Sequence, residues 1–482
     1  MLSIVWFRRD LRLRDNPTLA AAAAQGPVLP LYIHTPAEEG PGAPGGASRW
    51  WLHHSLQALQ AELEAQGLKL LIRRGPAKAA LLQLAAETGA AAVHWNRLYE
   101  AATARRDKDV QLALEAAGIQ VQGHNGSLLR EPWEYATQEG KPYRVFTPFY
   151  RSLLAKGPSR SATLPLPRQL QGPSRWPAGE RLAVLGLLPQ RSWASEFDQH
   201  ASPGEAGGRA ALRRWVQEGL AGYVEGRDRP DWLGTSRLSA HLHYGDLSPL
   251  QVWEAVQSAA EERPALRQAA DAYLRELAWR EFSHQLLHDL PDTVDQPLQA
   301  AFKSFPWAKG AAVPLKAWQR GLTGYPLVDA GMRELWRSGF MHNRVRMVAA
   351  SFLVKDLLID WRRGAAWFMD TLVDADLAQN TLGWQWTAGC GADAAPYFRI
   401  FNPVLQGQKF DPEGAYVKRW LPELARLPAK WVHQPWAAPP EVLAAAGVLL
   451  GANYPRPLVD HATARARALE AFASLPKKAA LS

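Results

Sequence analysis

Four stretches of this 482-residue chain carry side chains with chemical potential. The first is Gly234-Thr235-Ser236-Arg237-Leu238-Ser239, hydroxyls and an arginine between a glycine and a helix-like stretch. Hydroxyls and backbone N–H groups at a helix start suit a phosphate; they equally suit an ordinary N-cap beside a solvated arginine. A glycine-rich loop of the P-loop type is absent from the sequence. The second stretch is Tyr273-Leu274-Arg275-Glu276-Leu277-Ala278-Trp279-Arg280-Glu281-Phe282. On a helix, Tyr273, Glu276, Trp279, Arg280 and Ser283 share one face. That face reads either as a surface ridge with a local ion pair or as a pocket wall. As a wall, it offers an indole to stack on a base and a carboxylate to accept hydrogen bonds from the base edge.

The third stretch, Met341-His342-Asn343-Arg344-Val345-Arg346-Met347, sets two arginines inside an apolar helical pattern, where buried charges need partners. Asp374-Ala375-Asp376 offers two carboxylates, and Arg346 with Asp374 is the expected pair, in a structural or a cofactor-holding role. The fourth runs from Asp374 through Asn380, Trp384 and Trp386, continuing through Ala395–Pro403 to Gln406, and alternates loop-like residues with large aromatics. A tryptophan pair alone proves only packing.

The elements that must position these residues fall into two halves. In residues 1–125, short β-branched apolar runs (Ser3–Phe7, Val28–Ile33, Leu68–Ile72, Ala91–Trp95) alternate with helical patterns such as Leu52–Ala65 and Ala77–Thr88. That alternation predicts a parallel sheet covered by helices. Residues 126–200 are broken by Pro158, Pro165, Pro167, Pro173 and Pro177 and read as a long connection over the surface. From about 203 onward the pattern is helical: Glu205–Leu220, Pro249–Glu262, Pro264–Leu290, Val328–Leu358, Ala365–Leu372 and Asp460–Ala473. The fold class is therefore α/β plus all-α: an N-terminal Rossmann-like domain over 1–130, a linker over 131–202 and a helical domain over 203–475.

Composition bounds the function. With 47% hydrophobic and 21% charged residues, a sizeable core is available and wholesale disorder is excluded. Apolar stretches such as Val348–Val354 fall far short of the roughly 20 residues that span a bilayer, and the N-terminus carries no signal-peptide pattern. The single cysteine, Cys390, excludes an intrachain disulfide and makes a reducing cytoplasm the simplest address. A net charge of +9 favours a polyanionic partner. Twenty-one tryptophans are several times ordinary usage, so most must be core, leaving a few for stacking or redox roles.

Taken in order, the strings Thr235–Ser239, Glu276–Phe282, Trp318-Gln319 through Gly324-Tyr325-Pro326, His342–Met347, Asp374–Trp386 and Tyr397–Pro403 resemble the photolyase/cryptochrome family. Trp6-Phe7-Arg8-Arg9-Asp10-Leu11-Arg12 with Asp15-Asn16-Pro17 is similar to that family's opening strand and loop. The likeness spans nearly the whole chain and is strongest to class I cyclobutane pyrimidine dimer photolyases.

The resemblance implies a deoxyribodipyrimidine photo-lyase: light-dependent repair of pyrimidine dimers in UV-damaged DNA by electron transfer from FAD, as excited FADH−, to a flipped-out dimer. By the same likeness, the N-terminal domain is the antenna domain and the helical domain holds FAD. Tyr223, Thr235, Ser236, Arg237, Leu238 and Ser239 would hold the cofactor's phosphates and ribitol. Asp374 and Asp376 would contact the flavin and the adenosine half, Arg346 would pair with Asp374, and Asn380 would face flavin N5 as a neutral acceptor. Trp279 and Trp386 would wall the dimer pocket and Glu276 would hydrogen-bond the dimer. Asn343 and Met347 would line the pocket, and Arg227, Arg280, Arg344 and Gln406 would hold the damaged strand. Trp384, Trp361 and Trp307 would rereduce the flavin.

No metal is implied. An antenna chromophore, methenyltetrahydrofolate or 8-hydroxy-5-deazaflavin, is compatible. However, Glu100-Ala101-Ala102-Thr103-Ala104-Arg105 lacks the Asn-Glu pair of folate-binding relatives. Tyr273 and Phe340 stand where relatives often carry Trp and are expected to be packing changes. The protein is expected to be a bacterial, cytoplasmic monomer, at the nucleoid through DNA. The alternatives are a cryptochrome-type blue-light receptor and a (6-4) photolyase. Glu276, Asn380, Met347 and the short C-terminus argue against the first, and a single histidine, His342, in 342–347 against the second.

Overall fold

The computed structural model describes residues 1–137, 139–189 and 192–476. Its first part alternates β1 (Ser3–Phe7), α1 (Pro17–Gln25), β2 (Val28–His34), α2 (Gly46–Ala65), β3 (Leu71–Arg74), α3 (Ala77–Thr88), β4 (Ala92–Asn96), α4 (Ala101–Ala116) and β5 (Gln120–His124). The five strands form one parallel sheet in the order β3-β2-β1-β4-β5. Both faces are covered, which is why its strands read as continuous apolar runs. Val5 and Phe7 pack with Trp50, Trp51 and Leu56 on one side; Ile4 and Trp6 pack with Trp95 and Val110 on the other. The sequence pattern missed β5, whose Gln120-Val121-Gln122-Gly123-His124 is an edge strand with little apolar content.

Then follow α5 (Phe146–Lys156), α6 (Glu205–Arg214), α7 (Tyr223–Gly226), α8 (Ser239–Tyr244), α9 (Pro249–Glu262), α10 (Arg267–Asp289), α11 (Ala312–Gln319) and α12 (Pro326–Ser338). The chain continues through α13 (Asn343–Ser351), α14 (Trp361–Thr371), α15 (Leu377–Ala388), α16 (Pro403–Phe410) and α17 (Ala415–Trp420). It closes with α18 (Ala429–Val432), α19 (Pro440–Ala446) and α20 (His461–Ala473). The proline-rich stretch thus contains a packed helix, since Phe146 and Phe149 of α5 are buried among helical-half residues such as Phe282.

The expected single helix Val328–Leu358 is in fact α12, α13 and a π turn over Phe352–Asp356. Gly339 ends α12 at φ 67°, a left-handed cap that favours glycine. His342 restarts the helix, its Nδ1 accepting the Arg344 N–H at 3.2 Å. This break turns Phe340–Met347 across the cavity described below.

The N-terminal motif stitches the halves together. Arg12 is fully buried; its Nη1 donates to Gly245 O (3.0 Å), and its Nη2 donates to Gly126 O (2.6 Å) and Asp15 O (2.8 Å). Asp246 accepts from Trp51 Nε1 and from Gly204 N, each at 3.1 Å. Gly245, at φ 69°, lies against the backbone of Arg9 and Asp10 with no room for a Cβ. Among the described residues, no helix is long and apolar enough to cross a membrane.

Candidate active site

The helical half encloses an open cavity of about 580 Å³, within the range of cofactor and substrate sites. Four separate sequence stretches converge on it: Thr235–Ser239, α10, the start of α13, and Asp374 with α15.

Its inner end is tightly tied. Arg346 Nη2 donates to both oxygens of Asp374, at 3.1 and 2.9 Å, and its Nε donates to Met341 O at 2.7 Å. Asp376 caps α15 by accepting Gln379 N–H at 3.0 Å, while its other oxygen faces His243 Nδ1 (3.2 Å) and His284 Nε2 (3.3 Å). Burial would raise the Asp376 carboxyl; the two histidines more than offset it and hold it well below the usual range. On α15, Asn380 Nδ2 donates to Ala365 O at 3.0 Å, which leaves Oδ1 as the free acceptor of that amide. Trp384 is buried along the lining, and its Nε1 has no partner among the described residues. Arg237 adopts φ 55°, a strained conformation for a non-glycine residue, and lies 4.6 Å over the Phe340 ring. Arg346 covers the same ring at 5.5 Å. Tyr273 OH donates to Ser236 Oγ at 2.9 Å. Tyr273 and Phe340 are therefore more than packing: one braces the hydroxyl loop, and the ring of the other meets the guanidinium groups of both Arg237 and Arg346.

The outer end is looser. Arg227 pairs with Glu276 at 2.7 Å, with side chains 31% and 33% exposed. Arg344 pairs with Asp228 at 2.7 Å and lies 4.5 Å over Phe410. Trp279 stacks on Phe146 at 3.7 Å with planes 4° apart, so one indole face is already covered and only the other is free for the cavity. Trp386, Asn343 and Met347 line the same end.

All the expected cofactor-side residues line the cavity: Tyr223, Thr235–Ser239, Arg346, Asp374, Asp376 and Asn380. The expected substrate side is present in Arg227, Glu276, Trp279, Asn343, Arg344, Met347 and Trp386. Arg280 lines the cavity too, but it is 5% exposed, donates to Ser127 O (2.9 Å) and Leu242 O (3.5 Å), and pairs with Glu281 (3.3 Å). Its guanidinium is spent on the interior, away from any strand on the surface. Gln406 sits on α16 and is not among the lining residues. Trp361 shares a buried core cluster with Trp384, and Trp307 packs against the edge of that cluster. The reading of separate motifs missed Phe340, Asp228 and Gln379 as lining residues, whereas Tyr273 lies on the helix face that was read as a pocket wall. Asp228, next to the expected Arg227, was the findable one, as a counter-charge for Arg344. In the sheet half, Glu100 of the folate-motif stretch is buried and paired with Arg9.

The inner end fits FAD. A free amide acceptor, an orphaned indole N–H, a guanidinium–carboxylate pair and a hydroxyl-rich loop with an arginine are the complements of a dinucleotide's polar edges.

Comparisons with known proteins agree. Residues 3–169 match the family model described as DNA photolyase, and residues 273–474 match the FAD binding domain of DNA photolyase. The chain is 48% identical to the deoxyribodipyrimidine photo-lyase of Agrobacterium fabrum, covering 98% of each. It is 41% identical to cryptochrome-1 of Arabidopsis thaliana, covering 98% of this chain and 70% of the relative. A crystal structure of a bacterial class III photolyase from Agrobacterium tumefaciens superimposes with a TM-score of 0.94 at 47% identity, covering 98% of this chain and 97% of that one.

Proposed function

The chain belongs to the photolyase/cryptochrome family and carries its FAD-binding domain, and we propose that it is a deoxyribodipyrimidine photo-lyase repairing cyclobutane pyrimidine dimers in UV-damaged DNA. The observation that carries this reading is the cavity itself. It joins a tied, polar inner end suited to a resident cofactor with an outer end where two indoles stand among exchangeable ion pairs, suited to a pair of bases and their phosphates. When bound, reduced FAD supplies the light-excited electron that opens the cyclobutane ring and is then returned.

The chain's own residues do the rest. Thr235–Ser239 and Tyr223 hold the cofactor's phosphates and ribitol, Arg346 and Asp374 hold its ring edge, and Asn380 Oδ1 offers a neutral acceptor at N5–H. Asp376 acts from behind, fixing the start of α15 through Gln379 and its two histidines. A dimer inside a duplex cannot reach the cavity, so it must be extruded, photolyases being a standard instance of base flipping. A damaged, poorly stacked pair costs less to extrude, which gives selectivity. Trp279, pre-stacked on Phe146, and Trp386 form the walls that receive it. Glu276 hydrogen-bonds the dimer, with Arg227 giving up or sharing that carboxylate as the dimer enters. Arg227 and Arg344 meet the strand's phosphates. Trp384, Trp361 and Trp307 form the route for rereduction.

Between subclasses, 47% identity to a class III photolyase structure favours that class over the class I likeness of the motifs. The same reading makes the protein a cytoplasmic monomer that meets the nucleoid through DNA, organised as 1–130, 131–202 and 203–475; the buried Cys390 fits a reducing compartment. A cryptochrome would share the cavity and not the repair. A (6-4) enzyme would want histidine chemistry at the dimer, whereas His342 lies outside the lining and spends Nδ1 on capping α13. The test is light-dependent conversion of two irradiated oligonucleotides, one holding a thymine dimer and one a (6-4) product. Loss of the dimer alone under blue light is expected. Loss of neither by FAD-loaded, reduced protein overturns the reading.

A further inference from the structure

Beside the main cavity, the helical half encloses a second and much smaller void of about 20 Å³, between α10 and α15. The two helices meet there along matching stripes. Ser283, Leu286, Leu287 and Leu290 follow one another at helical spacing on α10 and its cap, and Ala378, Thr381, Leu382 and Gln385 do so on α15. Asn380, Gly383, Trp384 and Thr387 form the neighbouring stripe of α15 and line the main cavity instead. The helix α15 is therefore the wall between the two spaces. Leu382 lines both, so its side chain is the partition.

The void is apolar in character, because its polar side chains are spent on other partners. Ser283 Oγ donates to Arg280 O and Thr293 Oγ1 donates to Leu290 O, each at 2.7 Å. Gln385 Nε2 donates to Thr293 O and Gln296 O, at 2.6 and 2.9 Å, and its Oε1 accepts the Leu298 N–H at 3.0 Å. That leaves the Thr381 hydroxyl, whereas an interior water needs roughly two to four polar partners. An apolar space of this size stays dry and takes up one small apolar guest, as cavities lined by leucines take up xenon. It persists because Ser283, Ala378 and Ala392 are too small to fill it, in an interior that is otherwise closely packed. Its far side is formed by Leu290, Thr293 and Leu298, half-buried residues close to the surface.

We infer that this void is a binding site for molecular oxygen, on a path from the surface past Leu382 to the flavin. The inference rests on the seating of FAD at the inner end of the main cavity, and it goes beyond repair to the fate of the reduced cofactor in the dark. Oxygen is the small apolar guest that reacts with a reduced flavin. FADH− gives up two electrons and the proton at N5, oxygen takes both with one more proton from water, and the products are FAD and hydrogen peroxide. That reaction withdraws the reduced cofactor, so the residues that admit oxygen set its lifetime.

The experiment compares the wild-type holoenzyme with Ala378→Val and Ala392→Val, which fill the void from two walls. Neither residue lines the main cavity. Each protein is reduced anaerobically and freed of reductant. It is then mixed in the dark with oxygenated buffer or with ferricyanide, a charged oxidant that an apolar void excludes, while the return of oxidised-flavin absorbance is followed. Oxidation by oxygen is expected to slow about fivefold in both variants, because a filled interior passes guests only during transient openings. Ferricyanide oxidation, flavin content and anaerobic dimer repair are expected to stay as in wild type. Wild-type crystals under xenon pressure are expected to hold xenon between α10 and α15. An unchanged oxygen rate in either flavin-loaded variant would bring oxygen in through the main mouth and overturn the inference. Equal slowing with both oxidants would place the change at the flavin itself and overturn it too, as would an ordered water in place of xenon. A wild-type protein that purifies without flavin fails earlier, on the seating of the cofactor rather than on the void.

Discussion

Charged residues at the seam between the halves and at the cavity mouth are the same types used in opposite ways. At the seam, Arg12 is buried and committed to backbone carbonyls of both halves, and beside it, within the sheet half, Arg9 and the buried Glu100 are committed to each other. At the mouth, Arg227–Glu276 and Arg344–Asp228 are partly exposed pairs, each with water as an alternative partner. Removing one member of a buried pair strands the other without water, whereas an exposed pair is worth little and exchanges easily. Arg12 therefore holds the two halves in register, Arg9 and Glu100 hold the sheet half beside it, and the mouth's charges are free to meet a ligand. Identical residue types in a sequence do not reveal which use applies; burial does.

Substitutions at the two places sharpen that contrast. Arg12→Ala strands three backbone carbonyls in the interior and is expected to cost about 4 kcal/mol in urea unfolding. Molecules that stay folded should keep their flavin. Glu100→Gln follows. Burial would raise this carboxyl, but Arg9 overrides it and lowers it to about 2. A depressed carboxyl stabilises the fold above its unfolded pKa of about 4.5, so the wild type should lead by about 3 kcal/mol at pH 7. That lead should shrink as pH falls through 4.5 and be gone near 2, which a urea series against pH would read. At the mouth, Glu276→Ala should change stability by less than about 0.5 kcal/mol and retain FAD, yet slow repair roughly 10- to 100-fold. Loss of flavin instead would move Glu276 into the cofactor site. Smallest is Arg344→Ala: binding to damaged and undamaged DNA should weaken alike, and the slope of log affinity against log salt should fall by about 1. A stability loss at Arg344 as large as at Arg12 would erase the distinction between the two regions.

Much of this was legible in the sequence wherever periodicity or pairing chemistry was local. Ser3–Phe7, Ala77–Thr88 and Pro249–Glu262 are elements with the expected ends, because each is bounded by turn or cap residues. The Arg346–Asp374 pair was expected from buried charge alone. The break between α12 and α13 was not, because Gly339 reads as one tolerated glycine in an apolar run until its left-handed φ is seen. β5 was lost because an edge strand need not be apolar. Arg280 carries the charge of a phosphate ligand, and only its neighbours Ser127 and Leu242 show that the charge points inward. Phe340 entered the site through Arg237, far away in the sequence, as well as through nearby Arg346, and the first relation is one no local pattern contains.

The central claim is that one cavity holds the flavin at its inner end and the dimer at its mouth, in contact range. Flavin fluorescence of the reduced holoenzyme, titrated with dimer-containing oligonucleotide under dim light, tests it most directly. The account predicts quenching that saturates with binding and recovers as blue light consumes the dimer. Tight binding of the dimer with the emission untouched would put the two ligands in separate places and contradict it.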